Sequence, residues 1–67
     1  MADRRTKASR ILRILVVDDS AFQRRLTIET LRQMRNVVVE HVENADLCIE
    51  IVPFFAPDII VTTWDME

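Results

Sequence analysis

The chain has 67 residues, a formal net charge of −2, no glycine and one cysteine, and 49% of its residues are hydrophobic. It is one small domain at most, near the lower size limit for folding alone. The lone Cys48 excludes an internal disulfide, and no apolar run approaches the ~20 residues of a membrane span. The charge is uneven: residues 1–13 carry five basic and one acidic side chain, residues 14–67 four basic and ten acidic. A basic arm therefore precedes an acidic body. No apolar signal core follows the basic start, so the expectation is a cytoplasmic protein.

Residues 1–10 are polar and charged and read as a flexible arm; residues 11–67 read as the folded part. The run Ile11-Leu12-Arg13-Ile14-Leu15-Val16-Val17 predicts a buried strand. Ser20 is placed to cap a helix over 21–35. Its apolar face is expected from Phe22, Leu26, Leu31 and Met34, with Arg24, Arg25, Arg32 and Arg35 toward solvent. Val37 to Val42 predicts a second strand. Asn44 caps a second helix over 45–54, with Leu47, Cys48, Ile51 and Val52 inward and Pro53 and Pro57 ending it. Asp58 to Thr62 predicts a third strand. Without glycine, Asn36 and Asn44 are the residues expected to take left-handed conformations. The order β-α-β-α-β with short connections implies an α/β fold with a three-stranded parallel sheet and right-handed crossovers.

Asp18 and Asp19 end the first strand, at the carboxyl edge where open α/β sheets bind their ligands. Two adjacent like charges call for a cation or a basic side chain between them. One reading is a hard-metal site. The other is a pair of solvated loop acids that favour the positive end of the following helix.

The segment from Ile14 to Ala21, Ile-Leu-Val-Val-Asp-Asp-Ser-Ala, resembles the opening of bacterial response-regulator receiver domains. Arg24-Arg25-Leu26, Val42-Glu43-Asn44-Ala45, Pro57-Asp58-Ile59-Ile60-Val61 and Trp64-Asp65-Met66 are similar to later parts of that family, in order and at matching spacing. The resemblance covers residues 11–67. It implies the first half of a flavodoxin-like receiver, truncated before the fourth and fifth strands of that fold. It also implies a Mg²⁺ site built from Asp18, Asp19 and the backbone carbonyl of Asp65, since Mg²⁺ prefers hard oxygen ligands. In receivers an aspartate at the end of the third strand takes a phosphoryl group from a kinase phosphohistidine, and the metal neutralises the developing charge. Here that phosphoacceptor-equivalent position holds Thr63, whose neutral hydroxyl forms no acyl phosphate and brings no charge to the metal. Metal binding is therefore expected to be weak. The hydroxyl and lysine with which receivers sense the phosphoryl group have no counterpart in these residues.

The resemblance further implies that the first helix docks a kinase phosphotransfer domain, through Phe22, Arg24, Arg25 and Ile28, the last lying off the expected apolar face. The expected function is thus a degenerate, phosphorylation-independent receiver-like module. Its partners would be a histidine kinase, a phosphotransfer protein or another receiver, with homodimerisation through the open edge of the third strand. Two alternatives stand beside it: a receiver gene fragment without a stable fold, and a nucleic-acid or anionic-surface binder using Arg4, Arg5, Lys7, Arg10 and Arg13. Nucleic-acid binding is disfavoured because no aromatic residues interleave with those bases. An enzyme is disfavoured too, because no phosphate-cradling glycine loop and no nucleophile–base pair is present. Trp64 reads either as a partner anchor or as a cover for the sheet end. His41 reads as structural, since no second histidine or cysteine offers metal spacing.

Overall fold

A computed structural model describes residues 10–63. Its elements are β1 (Leu12–Val17), α1 (Ala21–Leu31), β2 (Val37–Val42), α2 (Ala45–Phe55) and β3 (Ile59–Thr62). The fold is α/β. The three strands form a parallel sheet in the order β2-β1-β3, which is the order of the first half of a flavodoxin-like sheet. The expected arm lies outside the described residues except for Arg10, and Trp64, Asp65 and Glu67 lie outside them as well.

β1 is central because its sequence leaves no polar face to spare. Ile14, Leu15, Val16 and Val17 are all buried, as expected for a strand covered on both sides. Ile14 and Val16 pack with Ile28 of α1 and Val39 of β2. Leu15 and Val17 pack on the other face with Phe55 of α2, flanked by Val42, Cys48, Ile51 and Val52. The two helices therefore cover opposite faces, as right-handed crossovers from a central first strand require. Cys48 is half-buried in this second cluster, as a small apolar side chain.

Three sequence expectations need correction. First, the inward row of α1 is not Phe22–Leu26–Leu31–Met34. Phe22 is 69% exposed, Leu26 and Met34 are also exposed, and Ile28 is 7% exposed in the core. Arg24, Ile28 and Leu31 follow the helical i, i+4, i+7 row, so Arg24 turns inward and is half-buried. The helix also stops at Leu31 rather than residue 35. Gln33 and Met34 donate to the carbonyls of Thr30 and Leu31, a tightened last turn, and Asn36 at φ 59° then redirects the chain into β2.

Second, α2 passes through Pro53 and ends at Phe55. Pro53 removes the donor that would bond the Ile49 carbonyl. Both residues are exposed, so this gap lies on the solvent side of the helix. The last turn is held instead by burial of Phe55. Third, the left-handed residue after α2 is Ala56, at φ 53°; Asn44 is extended at φ −155°, and its side chain accepts from the Leu47 amide. At the strand ends, Ile11 falls just before β1 and Asp58 just before β3. Asp58 still joins the ladder, because its amide donates to the Arg13 carbonyl and its carboxylate accepts from the Arg13 amide.

Candidate functional site

The carboxyl end of the sheet is built on Asp18. The β1–β2 ladder continues one residue past β1, where the Asp18 amide donates to the Val42 carbonyl at 3.2 Å. This holds the residue in place, 3% exposed. Asp18 Oδ1 accepts from the Ser20 amide at 3.0 Å, an acid side chain bonding its own backbone two residues on. Ser20 Oγ in turn accepts from the Gln23 amide at 3.2 Å and caps α1. Asp19 points out and is exposed.

Arg24 closes the corner from α1. Its Nη1 donates to the Asp18 backbone carbonyl at 2.7 Å, and its Nε donates to His41 Nδ1 at 3.3 Å. The basic group near the acid pair thus grips the backbone of Asp18 and the side chain of β2. Sequence pattern alone gave no signal for this strut, because Arg24 reads as one of several surface arginines.

The register decides what stands beside Asp18. Val17 pairs with Thr62 on one side and with Val42 on the other. Thr63 and Glu43 therefore leave the sheet from the neighbouring strands at the same level as Asp18. Thr63 is exposed. Among the described residues no group of three or more His, Cys, Asp or Glu side chains is arranged to hold a metal ion. Asp18 and Asp19 bring two carboxylates to this end, one of them already accepting from Ser20. Asp65, whose carbonyl completes the expected Mg²⁺ site, lies outside the described residues.

The expected docking surface on α1 divides. Phe22 and Arg25 are exposed, Arg24 is committed to the internal bonds above, and Ile28 is withdrawn into the core. Ile28 is thus corrected from an exposed docking residue to a packing residue: it lies on the row that faces β1 and β2, and only 7% of it is exposed. Phe22 and Leu26, one turn apart, form the outward apolar pair instead.

No helix among the described residues is long and apolar enough to cross a membrane. No protein-family model matches this chain, and no curated protein or solved structure matches it either.

Proposed function

We propose that this chain is a receiver-like signalling module of two-component phosphorelays, acting in the cytoplasm by binding and not by accepting phosphate. The observation that carries this reading is the position of Asp18. It is buried at the carboxyl end of the central strand of a β2-β1-β3 sheet, with Thr63 leaving the neighbouring strand at the same level. An acid at this end of an open α/β sheet stands where such folds take their ligands. The resemblance between Ile14 and Ala21 gives that geometry a receiver-like meaning.

Thr63 separates this module from a phosphate acceptor. Acyl-phosphate formation needs a carboxylate at the acceptor position, and a threonine hydroxyl is not one. Asp18 and Asp19 would supply the carboxylates of a weak Mg²⁺ site. Partner recognition falls to the outward side of α1, where Phe22 and Arg25 stand exposed. An apolar ring beside a guanidinium suits a helix of a kinase or phosphotransfer domain. The outer edge of β3 is the surface through which two copies would pair.

The test is incubation with phosphorylated kinase or acetyl phosphate in Mg²⁺, read by intact mass, with the kinase complex followed by size-exclusion chromatography. No phosphoryl adduct, together with a kinase complex weakened by Phe22→Ala, is expected. A base-labile adduct would mean that one of the acids accepts phosphate, and the phosphate-independent reading would fall. Absence of any complex with kinase, phosphotransfer protein or receiver would remove the signalling reading itself.

A further inference from the structure

Between α1 and His41 at the end of β2 lies an open groove of about 380 Å³ whose lining includes Arg24, Arg25, Ile28, Glu29, Arg32 and His41. Three guanidinium groups face one carboxylate there, although the body of the chain is acidic. Arg24 is fixed by Asp18 and His41. Arg25 and Arg32 are exposed, and among the described residues neither guanidinium has a hydrogen bond or ion pair. The groove is therefore a concentration of positive charge with two free guanidinium groups at its mouth.

The strand beside it has an open edge. Among the described residues β2 pairs with β1 alone, so its other edge presents unpaired backbone groups. An added strand along such an edge gains main-chain hydrogen bonds, and its alternate side chains point to opposite faces of the sheet. On β2, Val37 and Val39 pack on the α1 side, and His41 lines the groove. Glu40 pairs with Leu15 in register and so lies on the α2 side. The two faces of this edge thus carry opposite charge, with Arg25 and Arg32 toward α1 and Glu40 toward α2.

We infer that the outer edge of β2 is a docking site for an extended acidic peptide segment that adds as a fourth strand. Its acidic residues occupy alternate positions and point into the arginine groove; the intervening residues are apolar or basic and lie beside Val38 and Glu40. Successive side chains on one face of a strand stand roughly 7 Å apart. Arg25 and Arg32 are separated by about 10 Å along the helix, so two carboxylates on one face reach the two long arginine stems. The inference does not need the receiver reading; Arg25 serves both surfaces, and Arg32→Glu, outside the receiver surface, tells the two apart.

The experiment uses the full chain and fluorescein-labelled peptides followed by anisotropy. One peptide alternates glutamate and valine; a second has the same composition in blocks; a third carries N-methyl groups on alternate backbone amides of the first. Binding of the alternating peptide is expected, with about tenfold or greater weakening in the block and N-methylated peptides. Arg32→Glu and R25E/R32E should weaken it by about tenfold or more. Circular dichroism of both variants checks that the fold persists. Equal binding of all three peptides, or equal displacement by any polyanion such as polyglutamate or single-stranded DNA, would mean charge attraction without strand addition and would overturn the inference. So would a failure to bind the alternating peptide, or unchanged binding in R25E/R32E.

Discussion

Arg13 interrupts an otherwise apolar strand, and the structure gives it specific work at the opposite end of the sheet from Asp18. Its Nε donates to the Phe55 carbonyl at 2.7 Å, and its guanidinium lies 4.4 Å from the centroid of the Phe55 ring. A cation at a helix C-terminus satisfies an orphan carbonyl and opposes the helix dipole. Arg13→Ala is therefore expected to destabilise by about 1–3 kcal/mol, from one charge-assisted bond and one cation–π contact. Arg13→Lys should recover only part of this, because lysine lacks the planar fork. Chemical denaturation of the two variants gives the comparison. Next to it, Ala56 adopts a left-handed backbone that costs a Cβ-bearing residue about 1–2 kcal/mol. Ala56→Gly removes that cost and gives part of it back as unfolded-chain entropy. A net gain of about 0.5–1 kcal/mol is expected, read as a rise of roughly 3–6 °C in Tm. An unchanged or lower Tm would show that the left-handed turn is not a strained point.

At the scale of elements, strands were more legible than helices. Runs of β-branched residues fix a strand by composition alone, and β2 falls where its sequence puts it. The face of α1 was misread because large apolar residues at Phe22, Leu26 and Met34 outweigh one isoleucine, while burial follows the 100° step of the helix from Ile28. The left-handed Ala56 was not legible either, since nothing local in alanine favours φ above zero. β3 is the weakest element. Ile59 and Ile60 point to opposite faces and are 44% and 48% exposed, and among the described residues only one edge of the strand is paired. Apolar edge strands without a charge invite pairing with another chain. Ile60→Lys is expected to shift a dimer or larger species to monomer in sedimentation velocity, with little loss of helical circular dichroism. Persistence of the same assembly in this variant would place the contact elsewhere.

For the molecule as a whole, stability is concentrated in one strand. Four of the seven buried apolar side chains among the described residues belong to β1. A domain of this size has only a few kcal/mol of net stability. Leu15 is fully buried, and Leu15→Ala removes about 2–5 kcal/mol. That variant is expected to lose its cooperative thermal transition, while Leu26→Ala on the outer face of α1 should melt within a few degrees of the parent chain. Comparable melting of the two would mean that β1 does not dominate the core. The candidate site was legible in one respect, the acids at the end of β1, and illegible in another. Arg24 meets Asp18 and His41 only after three elements have come together, and no local pattern announces that meeting.

The central position of β1 also sets the order in which the chain can be completed. Among the described strands, the first to emerge pairs with the third: Arg13 and Asp58, 45 positions apart, bond each other. At synthesis rates of about 5–20 residues per second, β1 waits roughly 2–9 seconds for β3. During that interval Ile14, Leu15, Val16 and Val17 can bury against Ile28, Val39 and Phe55, while the β3-facing edge of β1 stays unpaired. Until β3 pairs, a nascent chain of this sequence thus presents an open apolar strand edge to aggregation and chaperone capture.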